Sequence, residues 1–99
     1  MAAYTATRAK TITMVAAQVD SIEISNNHSK LDLVNHGAGT IYYKLDDNIA
    51  LVAPTVAGDN CGVVLAGERI TVNRAGGFGQ SIITAISAGT PVFSVVGRR

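Results

Sequence analysis

Short runs in which apolar and polar residues alternate every second position recur between residues 11 and 96, separated by Gly, Asn and Pro. A period of two sends successive side chains to opposite faces of an extended chain, so each run predicts a strand with one buried face. Residues 11–15 place Ile12 and Met14 together; residues 20–25 turn Ile22 and Ile24 inward and Ser21, Glu23 and Ser25 outward. The alanines around residues 9–18 would suit a helix, but β-branched Thr11, Ile12, Thr13 and Val15 favour a strand. Asn26-Asn27-His28 is a turn by composition, and residues 31–35 form the next run before the loop His36-Gly37-Ala38-Gly39. Residues 40–45 carry the strongest pattern, with Ile41, Tyr43 and Leu45 on a dry face and Tyr42 and Lys44 on a wet one.

Beyond residue 46 the alternation stops until residue 60. Residues 62–65 and 68–73, joined by Ala66-Gly67, then read as a hairpin with Ile70 and Val72 inward and Arg69 and Thr71 outward. Residues 81–87 are apolar on both faces, as a central strand is, and residues 92–96 close the series. About eight short strands, with turn signals roughly every ten residues, predict an all-β fold, a single antiparallel β-sandwich. The expected core is Ile41, Tyr43, Leu45, Ile70, Val72, Ile82, Ile86, Phe93 and Val95. Residues 1–10 are small and polar around a lone Tyr4 and show no period. They predict a flexible N-terminal arm ahead of a sandwich domain at 11–99.

Composition narrows the function classes. Ninety-nine residues suit one domain, and 47% hydrophobic against 15% charged residues exclude a disordered chain. No apolar run approaches the roughly 18 residues of a membrane helix, and residues 1–10 lack the apolar core of a secretion signal. The protein is therefore expected in the compartment where it is made, without a membrane partner. Met1 and the complete final strand predict an independent gene product. A net charge of +1 with its Lys and Arg mostly dispersed argues against nucleic-acid binding. Weak self-repulsion instead favours association, as a homo-oligomer or as many copies on a lattice. The single cysteine, Cys61, permits no internal disulfide and reads as a small apolar core residue.

Candidate chemistry is sparse. His28 and His36 sit beside turns with no further ligand at metal spacing, and both read as solvated loop histidines. Gly76-Gly77-Phe78-Gly79 lacks the following helix that a phosphate loop needs. Asp46, Asp47, Asn48, Asp59 and Asn60 carry oxygens suited to a hard cation but form no calcium-loop motif. Ser25, Ser29, His28 and Asp32 are neighbours around one turn, which does not build a nucleophile, base and orienting carboxylate. The sequence therefore predicts no catalytic residue, cofactor or metal, and no enzyme. Partner contacts are expected where alternation fails: Tyr4 and Arg8 in the arm, and Asp47, Val52, Pro54 and Val56 in the loop at 46–60. Tyr4 offers a large contact area with few rotatable bonds.

Five segments carry a family resemblance: Leu31-Asp-Leu-Val-Asn35, Ile41-Tyr-Tyr-Lys-Leu-Asp46, Ala53-Pro-Thr-Val-Ala-Gly-Asp59, Leu65-Ala-Gly67, and Ile86-Ser-Ala-Gly89 before Val92-Phe-Ser-Val95. Together they resemble small β-sandwich structural proteins of tailed bacteriophages. Such chains run valine–threonine–asparagine, a tyrosine strand ending in aspartate, a Pro-Thr-Val-x-Gly loop and an Ala-Gly turn. Where the family often has Gly after the strand's aspartate, Asp47 stands here. The resemblance implies a virion protein made in the host cytoplasm. Its first role would be a capsid decoration or cement protein on the head surface, bound to the major capsid protein or other virion subunits. A neck or tail position comes second. A carbohydrate-binding or adhesion module shares the same fold grammar, but sugar sites usually need exposed aromatic platforms. This chain has no Trp and only Tyr4, Tyr42, Tyr43, Phe78 and Phe93, of which Tyr43 and Phe93 are expected in the core.

Overall fold

The computed structural model describes residues 2–46, 54–58, 61–73 and 79–98. These residues form nine strands: β1 (Ala2–Ala6), β2 (Ala9–Thr13), β3 (Asp20–His28), β4 (Lys30–Asn35), β5 (Ile41–Asp46), β6 (Gly62–Val64), β7 (Arg69–Asn73), β8 (Gly79–Ser87) and β9 (Val92–Arg98). A five-stranded sheet in the order β1-β3-β8-β5-β6 packs against a four-stranded sheet in the order β2-β9-β4-β7. Neighbouring strands are antiparallel except for β1 and β3. The expected all-β sandwich is the observed one. Among the described residues no helix is long and apolar enough to cross a membrane.

Between the sheets, Ile22, Ile24, Ile41, Val64 and Ile83 meet Ile12, Leu31, Leu33, Phe93 and Val95. Fully burying such a side chain is worth about 1.5–3 kcal/mol. Ile41, Phe93 and Val95 lie in this core as expected, and Tyr43, Leu45, Ile70 and Val72 pack at its margin. The phase of β8 is corrected. Ile83 and Ala85 face the core, while Ile82, paired with Glu23 and Asp46, lies on the outer face. Ile86 shares that outer face and is buried there beside Tyr42. The inward register also buries Ser81 and Ser87, which hydrogen bonds make tolerable. Ser81 Oγ bonds His28 Nε2 at 2.8 Å, and Ser87 Oγ donates to the Thr40 carbonyl at 2.8 Å.

Two further expectations are corrected. The expected flexible arm, residues 1–10, instead forms β1 and the first two residues of β2. Ala2–Ala6 pairs in parallel with residues 20–24 of β3, and Tyr4 and Ala6 pack on the core. Backbone hydrogen bonds need no apolar side chain, so a strand of small residues leaves little trace in the pattern. β6 and β7 are not a hairpin, because β6 edges the five-stranded sheet and β7 the four-stranded one. Between them the Glu68 amide donates to the Leu65 carbonyl at 2.9 Å, with Gly67 at φ 73°. A tight turn of this kind can bridge two sheets as well as close one.

Candidate functional site

The two ends of the sandwich differ in chemistry. At one end lie the turn after β2, the β6–β7 turn and the link between β8 and β9. The Met14 amide donates to Pro91, Ala17 to Ser87 and Asn35 to Glu68. Two large apolar side chains, Val15 and Leu65, are about half exposed there, at 52% and 54%.

The opposite end is polar and cationic. Thr7 and Arg8, which link β1 to β2 across the sheets, are stapled from both sides. The Asn26 amide donates to the Thr7 carbonyl and the Gly97 amide to the Arg8 carbonyl, each at 2.8 Å. The pairing of β3 with β8 shifts register between Ile24 and His28, so Asn26 and Asn27 bulge out of the ladder. A cleft of about 460 Å³ opens here, lined by Arg8, Asn26, Asn27, Val96, Gly97 and Arg98. Gly97 is required by space. A Cβ there would stand 2.8 Å from both Asn26 Oδ1 and Ile24 Cγ2, and 3.0 Å from His28 Nδ1.

His28, expected in a solvated loop, is fully buried. Its Nδ1 lies 2.8 Å from the Asn26 carbonyl and 3.1 Å from Asn26 Oδ1, both acceptors, so Nδ1 carries the proton. Nε2 then accepts from the Ser81 hydroxyl. The imidazole therefore ties Asn26 of the bulge to Ser81 of β8.

Asp32, on the outer face of β4, is the charged hub beside the cleft. Arg98 Nε donates to its Oδ2 at 2.7 Å, Arg69 Nη2 to the same oxygen at 2.9 Å, and Thr71 Oγ1 to Oδ1 at 2.8 Å. Burial pushes the Asp32 carboxyl up, but the hydrogen bonds from Arg98, Thr71 and Arg69 and the positive charge of Arg98 outweigh it. The carboxyl is held below its ordinary value. Lys30 stands opposite Arg98 in the strand register. Arg69 and Arg98 thus share one carboxylate, and Arg8 lines the cleft beside Arg98, although the whole chain carries a net charge of only +1.

Of the residues predicted to make contacts, Arg8 is exposed on the cleft and Val56 is exposed at a turn tip. Tyr4 is only half available, because it packs on the core beneath Lys10, whose Nζ sits 5.5 Å from the ring centroid. Pro54, expected as a contact residue, is buried just ahead of the Thr55–Gly58 turn. Asp47 and Val52 lie outside the described residues, as do Asn48, Asp59 and Asn60 of the acidic loop. Sequence reasoning missed Asn26, Asn27, Gly97 and Arg98. The Asn26-Asn27 pair is the available signal, but its composition marks only a turn.

A further polar cluster is a chain on the outer face of the four-stranded sheet. Thr11 Oγ1 lies 2.7 Å from Ser94 Oγ, which lies 2.8 Å from His36 Nε2. Among the described residues no carboxylate bonds His36, so the chain lacks the third member of a nucleophilic triad. No group of three or more His, Cys, Asp or Glu suited to a metal converges among them. Comparison with known proteins yields no match to a family model, to a curated sequence or to a solved structure.

Proposed function

We propose that this chain is a structural protein of a tailed-bacteriophage virion, acting as a head decoration protein bound in many copies to the major capsid protein. The observation that supports this reading is the contrast in exposed chemistry between the two ends of one small sandwich. One end exposes Val15 and Leu65, and the other gathers Arg8 and Arg98 at a cleft. A body with distinct surfaces at both ends suits bridging between neighbouring subunits of a lattice. The segments that carry the family resemblance also form framework parts. Leu31-Asp-Leu-Val-Asn35 lies in β4, Ile41–Asp46 is β5, Leu65-Ala-Gly67 begins the inter-sheet turn, and Val92-Phe-Ser-Val95 opens β9.

The test is immunogold labelling and quantitative mass spectrometry of gradient-purified particles from the virus that encodes the chain. Regular labelling of the head in many copies is expected. Labelling at the neck or tail would move the position while keeping the virion role. Absence from particles together with retention on polysaccharide resin would replace the reading with a carbohydrate-binding module.

A further inference from the structure

We infer that the cleft between the β1–β2 link, the β3 bulge and the end of β9 is a binding site for a carboxylate carried by a peptide segment of a protein partner. The inference stands on the cleft and does not need the virion reading.

Three features carry it. Charge comes first. Arg8 is exposed and its side chain forms no hydrogen bond or ion pair with any described residue, so its planar fork is free to take a carboxylate side-on. Arg98 adds a second guanidinium in a defined position, because Asp32 holds its Nε and leaves its terminal nitrogens free of described partners. Asp32 is shared with Arg69 and cannot neutralise both, so among the described residues the region keeps an excess of positive charge.

Shape is the second feature. The walls are backbone stapled across three strands by the Thr7–Asn26 and Arg8–Gly97 hydrogen bonds, so the cleft is formed before any ligand arrives. A pre-formed site loses little entropy on binding.

Lining chemistry is the third, and it chooses the ligand. A phosphate presents mainly acceptors on one compact centre, whereas a peptide backbone presents donors and acceptors alternately along its length. The Asn26 and Asn27 side chains each carry both kinds of group, and Val96 adds an apolar wall. Guanidinium for a carboxylate, amides for a backbone and an aliphatic surface beside them match an acidic peptide better than a phosphate.

The carboxylate can belong to an Asp or Glu side chain or to a chain terminus. The experiment separates these sources by following amide and side-chain NMR signals of the full ¹⁵N-labelled chain at low salt. Three probes are titrated: an acetylated, amidated Glu-rich peptide, a neutral peptide with a free C-terminal carboxylate, and inorganic phosphate. One of the two peptides is expected to shift Asn26, Asn27 and Gly97 saturably, and to do so at lower concentration than phosphate. Arg8→Ala should weaken that peptide about tenfold, as loss of a charge-assisted pair does. Lys44→Ala removes the same charge from the other sheet and should leave the affinity unchanged. Folding of each variant is checked from its unshifted core resonances. The proposal fails if phosphate saturates the same signals first, if Arg8→Ala has no effect, or if Lys44→Ala weakens binding equally.

Discussion

Arg98 Nε and Asp32 Oδ2 meet at 2.7 Å on the outer face of the four-stranded sheet, between adjacent strands far apart in sequence. The carboxylate is buried although it lies on an outward face, because Arg69 and Arg98 close over it. The pair joins the last described strand to β4 and at the same time positions one wall of the cleft.

Acid should loosen this hub. The folded Asp32 carboxyl lies below its unfolded value of about 4, so its stabilising contribution is complete above that pH and is lost as pH falls through the folded value. Asp32→Asn should cost about 1–3 kcal/mol at neutral pH and reduce the acid dependence of stability. Urea unfolding at a series of pH values between neutrality and acid checks both effects.

Gly97→Ala should destabilise the domain by about 1–3 kcal/mol, because a close-packed site resists an added methyl group. The neighbours it would strike are Asn26 Oδ1, Ile24 Cγ2 and His28 Nδ1. Thermal unfolding measures the loss, and the Asn26 and His28 resonances should shift with it.

Tyr4→Ala should lower stability by about 1–2 kcal/mol, since a half-buried ring leaves the edge of the core. Removing residues 2–6 should lower it further by stripping β1 from β3. Unchanged denaturation midpoints for both variants would mean that the segment is a free arm after all.

Neighbours on β8 should separate sharply. Ile83→Ala opens a cavity between the sheets and should cost about 2–5 kcal/mol. Ile82→Ala, on the outer face, should cost less than about 1.5 kcal/mol. Equal losses from chemical denaturation would place the strand in the opposite register.

Two turns carry alanine where the backbone favours glycine. Ala17 and Ala57 have φ of 59° and 54°, each at the third position of a turn closed by hydrogen bonds from Gln18 to Val15 and from Gly58 to Thr55. The left-handed conformation costs a residue with a Cβ about 1–2 kcal/mol. Replacing either alanine with glycine removes that strain but adds freedom to the unfolded chain, so stability should hold or rise by up to about 1 kcal/mol. Gly67→Ala, at the corresponding place, should lower it by about 1 kcal/mol. Melting temperatures of the three variants check the pattern.

Alternation was enough to read eight of the nine strands, because a half-buried strand must repeat with period two whatever its partners are. Ile12, Ile22, Ile24, Ile41 and Phe93 reported their own burial in this way. The ninth strand, β1, was silent, since its place is held by backbone pairing with β3 and by Tyr4 alone among large side chains. β8 was ambiguous for the opposite reason. With isoleucines at 82, 83 and 86, hydrophobicity cannot choose a face, and the choice falls to the hydrogen bonds that Ser81 and Ser87 find inside.

The candidate site was mostly hidden. Arg8 was legible as an exposed cation in a segment without alternation, but its companions come from β3 and β9, distant in sequence. Local composition marks Asn26-Asn27 as a turn and Gly97-Arg98 as a chain end. Only the packing of three strand ends brings Arg8, Asn26, Asn27 and Arg98 around one cleft. Strand formation follows from local side-chain order, whereas sheet membership and cleft geometry depend on pairings between distant residues. Short-range pattern carries no record of those pairings.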